Sequence, residues 1–189
     1  MKKYPNLFSP IKIGNLTLKN RIIASPTSSP SVSHAEFLKK DNIAFYELRA
    51  KGGAAVVTLG DSIVHSPTGH MHPYKLPMDN PGLIPSLADT ARSIKQHNCI
   101  PSLELSHGGK FANIPNFISK NTIQKDRKPY GPNHEINEDG IEIFEMPEEI
   151  IMEIVEAYGD AALTAKNAGF EMVVVHGGHG WLLNQFMSP

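Results

Sequence analysis

Four short apolar runs punctuate the chain: Arg21–Ser25, Ala54–Leu59, Ile100–Leu105 and Met172–His176. The second and fourth are continuous and β-branched, the pattern of strands buried on both faces of a parallel sheet. Between the runs lie stretches at helical spacing. Asp41 and Asn42 can cap a helix that carries Ala44, Phe45 and Leu48 on one face and stops at Gly52 and Gly53. Ile84, Leu87, Ala88, Ala91 and Ile94 form a second stripe, ending near Asn98. Pro147 suits a first helical turn, and Glu148 and Glu149 favour the positive end of a helix dipole. The stripe Ile150, Ile154, Tyr158, Ala161, Ala165 follows, and Gly169 stops it. Read in order this is βαβαβαβ, an α/β architecture in which right-handed crossovers give a parallel sheet with helices outside. An open doubly wound sheet and a TIM barrel both satisfy the periodicity.

One stretch breaks the rhythm. Residues 111–146 have little periodicity and are rich in Asn, Pro and Lys. They follow the C-terminal end of the third strand, the side that carries active sites in parallel α/β folds. Loops this long inside a compact domain are usually functional or disordered. The stretch is expected to be a long loop or lid that contacts substrate, with Gly140–Phe144 as a small hairpin strand inside it.

Composition narrows the function classes. With 40% hydrophobic and 20% charged residues, the 189-residue chain can bury a core. A net charge of −1 provides no basic footprint for nucleic acid. No apolar run approaches the roughly 20 residues of a membrane span, and Lys2 and Lys3 have no apolar run behind them, unlike a signal peptide. A cytoplasmic location is therefore expected. One cysteine, Cys99, excludes an internal disulfide framework and any complete four-cysteine cluster within this chain. At a strand entrance it reads as a buried, inert small hydrophobe.

Candidate chemistry falls just after each strand. The first ends in Ser25, Pro26, Thr27 and Ser28, and the second in Leu59, Gly60 and Asp61. The third runs through Glu104 into Ser106-His107-Gly108-Gly109-Lys110, and the fourth into His176-Gly177-Gly178-His179-Gly180-Trp181. Polar residues at four successive strand ends imply a shared pocket. Taken singly the motifs are weak. His176 and His179, three apart across a Gly-Gly turn, could hydrogen-bond a substrate oxygen, coordinate a metal or satisfy loop backbone. His65, His70 and His72 are spaced like metal ligands, but Asp61 is the one carboxylate of suitable spacing nearby, so no metal site is assigned. Gly177-Gly178-His179-Gly180 is not a dinucleotide fingerprint.

Together these segments resemble the Old Yellow Enzyme family of flavin-dependent oxidoreductases. The resemblance is carried by Leu7-Phe8-Ser9-Pro10-Ile11-Lys12-Ile13-Gly14 with Leu18-Lys19-Asn20-Arg21-Ile22, by Ser25-Pro26, by Leu105-Ser106-His107-Gly108-Gly109-Lys110, and by His176 through Pro189. The pattern is similar to the branch containing 2,4-dienoyl-CoA and enoate reductases. It implies a TIM barrel with FMN at the C-terminal strand ends, NADH or NADPH as reductant, and hydride delivery to a C=C activated by a carbonyl, such as an enone or enoyl thioester. By position, His176 and His179 would hold the carbonyl oxygen as an oxyanion hole does. Pro26 and Thr27 would lay backbone against the flavin, with Ser25 beside them, and Ser28 would stand near its O4. Gly60 would let the ring approach.

Three departures from the family pattern matter. Glu104 stands where Gln is usual: an ionised carboxylate only accepts hydrogen bonds, and its charge is expected to disfavour an anionic reduced flavin. Trp181 stands where many members carry the Tyr that protonates the α-carbon, and an indole N–H is not a useful acid. Lys110 stands where Arg is commoner, keeping the charge without the planar fork.

A TIM barrel has eight strands and typically about 250 residues, so residues 1–189 correspond to a partial FMN-binding domain, strands one to four. A 4Fe-4S cluster and a second nucleotide site, which members of the branch can carry, would lie downstream. The expected partner is a small unsaturated molecule, and a homo-oligomer of the full-length enzyme is compatible with the chain. Two alternatives stay open: a catalytically inactive remnant or assembly module, and a metal-dependent α/β hydrolase using the histidines.

Overall fold

The computed structural model describes residues 3–28, 37–71, 75–112 and 128–187. The chain opens with an antiparallel hairpin, β1 (Ile11–Ile13) and β2 (Leu16–Leu18), which the periodicity does not anticipate. It turns at Gly14, whose φ of 57° favours glycine. Then come β3 (Ile23–Thr27), α1 (Lys40–Lys51), β4 (Val56–Ile63), the single turn α2 (Ser66–Gly69), β5 (Leu76–Pro77), α3 (Ile84–Lys95) and β6 (Ile100–Ser106). A small sheet of β7 (Tyr130–Gly131), β8 (Glu135–Ile136) and β9 (Glu142–Glu145) precedes α4 (Glu148–Asn167), β10 (Met172–Val175) and α5 (Leu182–Met187).

The main sheet runs β10-β6-β4-β3, all parallel, with β5 added to the C-terminal half of β4. Its curled strands with helices on one side form the N-terminal half of a TIM barrel. The helix-side core joins Val57, Leu59, Leu103 and Leu105 from the sheet to Leu87, Ala91, Ile94, Ala161 and Ala165 from α3 and α4, the stripes expected of those helices. The hairpin closes the other end. Leu18 packs with Val56, Ile100 and Met172, which start β4, β6 and β10, so the free end of the sheet is the C-terminal one.

The first helix buries a different face from the one its apolar residues suggest. Leu48 is 65% exposed, whereas Asn42, Tyr46 and Ala50 are buried at i, i+4, i+8. Two polar handles decide this. Asn42 Oδ1 accepts from the Lys39 N–H, and the Tyr46 hydroxyl donates to the Thr27 carbonyl at 2.9 Å. Phe45 is only partly buried and carries the Arg49 guanidinium on its ring. In the 111–146 stretch the structure shows β7–β9, with β9 near the expected strand, and residues 113–127 lie outside the described residues. Among the described residues no helix is long and apolar enough to cross a membrane.

Two adjacent strands carry an extra residue where the site begins. Ala24 pairs with Val57 and Thr27 with Leu59, so β3 bulges at Ser25–Pro26. Leu59 pairs with Leu103 and Ser62 with Leu105, so β4 bulges at Gly60–Asp61 and runs on to Ile63, beyond the strand end expected from its apolar run. Bulges re-aim side chains and tolerate a proline that cannot donate to the ladder. They also bring β3 onto β4: a Cβ at Gly60 would meet the Thr27 backbone N at 2.5 Å. Gly60 is thus required by protein backbone. Gly60→Ala should lower the free energy of unfolding by about 1–3 kcal/mol. Gly159→Ala, on an exposed turn of α4 with nothing within 4 Å, should raise it by roughly 1 kcal/mol. Equilibrium urea unfolding checks both, and an unchanged midpoint for Gly60→Ala would contradict the close approach.

Candidate functional site

Strand β6 supplies the frame. Leu103 and Leu105 enter the helix-side core, so Ser102, Glu104 and Ser106 point to the opposite face. Glu104 is 9% exposed. The Ser102 and Ser106 hydroxyls are buried with no hydrogen-bond partner among the described residues. Val174 of β10 pairs with Glu104, which places His176, two residues further on, at the same C-terminal edge.

The fourth strand end forms a tight turn. His179 has a φ of 57°, a left-handed conformation costly for a residue with a Cβ, followed by Gly180 at 74°. The Gly178 N–H donates to His176 Nδ1 at 3.2 Å, and His176 Nε2 lies 3.0 Å from His179 Nδ1. The first bond makes His176 Nδ1 an acceptor, so its proton is on Nε2 and is donated to His179. His179 then keeps its own proton on the exposed Nε2. The pair as it stands presents one N–H outward. Trp181 packs edge-on against His176 and Phe111, at 6.5 and 5.7 Å between centroids.

Charges gather on this face. Burial pushes the Glu104 carboxyl above the usual carboxylate range, and His176, Lys75 and His179 oppose it. Burial pulls His176 below the usual histidine range, with Glu104 pulling the other way and His179 and Lys75 adding to the downward shift. Lys75, brought down to about 8 by burial against the pull of Glu104, has no periodic signal in the sequence.

Ser25, Pro26, Thr27 and Ser28 sit at the bulged end of β3, half-buried to exposed, on the edge of the sheet away from the histidines. Gly60 is buried between them and β6. The donor set fits FMN. A carboxyl at 104 and hydroxylated residues at 25, 27 and 28 suit the polar edge of a flat heterocycle.

A second network holds the loop after β6. The Gly109 N–H donates to His107 Nδ1 at 3.0 Å, His107 Nε2–H donates to Thr68 Oγ1 at 2.9 Å, and the Thr68 hydroxyl donates to His65 Nδ1 at 2.7 Å. Gln185 of α5 accepts from the Lys110 N–H and donates to the Gly108 and Gly180 carbonyls, tying the loops after β6 and β10 together. Lys110 pairs with Glu135 of β8 at 2.9 Å. His65 and His107 are therefore joined through Thr68, and among the described residues no three His, Cys, Asp or Glu side chains are grouped to hold a metal ion. His72 lies outside the described residues. Cys99 is buried, and burial pushes its thiol up to about 11, as suits an inert core residue.

The family described as NADH:flavin oxidoreductase / NADH oxidase matches residues 6–189. An NADPH dehydrogenase of Listeria welshimeri is 32% identical over 97% of this chain and 51% of its own length. Among solved structures, Old Yellow Enzyme from Pichia sp. AKU4542 superposes with a TM-score of 0.84 at 24% identity, over 96% of this chain and 48% of that one. A morphinone reductase variant in complex with tetrahydroNAD superposes with a TM-score of 0.81 at 25% identity, over 97% and 52%. The chain spans about half the length of the curated relatives it matches.

The His107 network has a pH signature. Burial, with His65 adding, pulls His107 from 6.5 to about 3. The unfolded chain takes up a proton near pH 6.5 that the folded chain refuses until about 3, so stability falls as pH drops through that window. The slope should reach roughly 1.4 kcal/mol per pH unit. Urea unfolding at several pH values checks this, and His107→Gln should flatten the slope; an equal slope in the variant would assign it elsewhere.

Proposed function

Since the chain belongs to the NADH:flavin oxidoreductase / NADH oxidase family, we propose that it forms the cofactor-facing part of an FMN-dependent ene-reductase. The complete polypeptide would also supply the remaining barrel strands. The observation that carries this reading is the convergence of Glu104, Lys75, His176 and His179 on the helix-free face at the C-terminal strand ends.

Bound FMN would supply a two-electron hydride store between NADH or NADPH and the substrate. Ser25, Pro26, Thr27 and Ser28 would line one side of it from the bulged end of β3, with Gly60 as the floor. Glu104 would face the same ring edge, its carboxyl raised above the usual carboxylate range by burial and drawn back by His176, Lys75 and His179.

The histidines would hold the substrate carbonyl. His179 offers its Nε2–H directly, and its left-handed backbone fixes where that proton points. His176 Nε2–H is bonded to His179, so a carbonyl oxygen recruits it by competing for the same proton. As hydride reaches the β-carbon, negative charge grows on that oxygen, and two donors stabilise it more than a neutral carbonyl. Burial keeps His176 neutral, a hydrogen-bond donor rather than an acid. Trp181 packs on His176 and orients it. The α-carbon proton then comes from water or another residue. Substrates of this class are enones and enoyl thioesters, small enough to enter beside Trp181 and Phe111.

In the full-length protein, His179→Ala should lower kcat/KM for an enone by about 10²–10³-fold, the loss seen on removing one oxyanion-hole donor, with flavin content retained. Trp181→Phe should stay within about tenfold, since the indole carries no proton. Steady-state kinetics with flavin absorbance as the loading control checks both. A wild-type rate in His179→Ala, or a hundredfold loss in folded Trp181→Phe, would overturn the respective roles.

A further inference from the structure

The turn that carries the histidine pair is gripped by the short helix that follows it. His179 and Gly180 take successive left-handed conformations, with φ of 57° and 74°, and the first is costly at a residue with a Cβ. Two side chains of α5 hold the peptide groups that come next. Asn184 Oδ1 accepts from the Gly180 N–H at 2.9 Å, and Gln185 Nε2 donates to the Gly180 carbonyl at 2.6 Å. The peptide joining His179 to Gly180 is thus held at its N–H, and the one after it at its carbonyl.

Helix α5 is itself anchored. Leu182 is buried with Met146 and Ile154, and its N–H donates to the His107 carbonyl at 3.0 Å. Gln185 is buried and uses the rest of its amide on the loop after β6. Its Oε1 accepts from the Lys110 N–H, and its Nε2 also donates to the Gly108 carbonyl. A side chain at Gly109 would displace that amide. The core therefore fixes α5, and α5 fixes the turn.

What the grip settles is the direction of a hydrogen-bond donor. His176 Nε2–H donates to His179 Nδ1 at 3.0 Å, which leaves the His179 proton on its outward Nε2. If His179 relaxed to an ordinary backbone conformation, its Cα–Cβ bond would swing and carry the ring away from His176. We propose that Asn184 and Gln185 are positioning residues of the histidine pair, acting through the backbone to keep His179 beside His176 with its Nε2–H facing the site. The grip rests on the hydrogen bonds; its service to a substrate carbonyl rests on the function proposed above.

Asn184→Leu, Gln185→Met and Asn184→Asp in the full-length protein test it. In the first two, kcat for an enone should fall about 10- to 100-fold while KM moves less than about threefold, because a misdirected donor is missed most where the oxygen carries most charge. Flavin absorbance should show FMN retained. Asn184→Asp keeps the accepting oxygen and should stay within about threefold of wild type. Nitrogen-15 NMR of the histidine rings in flavin-free protein gives a readout that a loss of stability alone does not move. His179 should show a bare Nδ1 and a protonated Nε2 in the wild type and in Asn184→Asp, and a mixture of tautomers in the other two variants. Should Gln185→Met fail to fold, Asn184→Leu decides, since it removes a single bond from a half-buried side chain. A wild-type kcat with unchanged His179 signals in folded Asn184→Leu would overturn the grip, and so would lowered stability with unchanged signals. Mixed tautomers in the variants of a protein that reduces no enone would uphold the grip and overturn the proposed function.

Discussion

A parallel strand hands alternate side chains to opposite faces of the sheet, and β6 uses both faces for incompatible purposes. Leu103 and Leu105 fill the helix-side core while Ser102, Glu104 and Ser106 face the site. A slip of one residue would drive a carboxylate into the packed core and two leucines onto a polar wall, so the register is held by the hydrophobic effect on one face. The neighbours inherit it. Val174, and with it the start of the histidine turn, is fixed by pairing with Glu104, and β5 is fixed through Ser62.

Above that frame the loops are held by hydrogen bonds to buried polar side chains. Gln185 reaches both the Gly108–Lys110 segment and Gly180, and a Cβ at Gly109 would strike its side-chain oxygen. His107 sits beneath the same segment, pinned by Gly109 and Thr68, with no room for a side chain at Gly69. The bulges in β3 and β4 serve the same end from the other side, and the Tyr46 hydroxyl anchors the Thr27 carbonyl from the helix layer. The strand ends that carry the candidate chemistry are thereby held in place by named hydrogen bonds, as a functional site requires.

Much of this was legible because it is periodic. The strands at 54–59, 100–105 and 172–176 and the stripes of α3 and α4 repeat over enough residues to stand above noise, and the polar clusters at their ends followed from topology. What escaped was set by single contacts. The hairpin strands β1 and β2 are three residues each, too short for a period. The face of α1 was decided by Asn42 and Tyr46, whose hydrogen bonds outweighed the apolar Leu48. At Gly60 a close approach to the Thr27 backbone, set by the bulges of β3 and β4, needs the missing side chain, and no sequence spacing signals it. Lys75 could not be found by spacing at all, because only the register of β5 relates it to Glu104.

A carboxyl at position 104 shares its face with His176, Lys75 and His179. Burial favours its protonated form, and those three groups favour the carboxylate. Burial and Glu104 act on His176 in opposite senses, so each group's charge depends on its neighbours'. The electrostatic character of the wall therefore belongs to the cluster, and a substitution at any one of its positions changes the balance at the others.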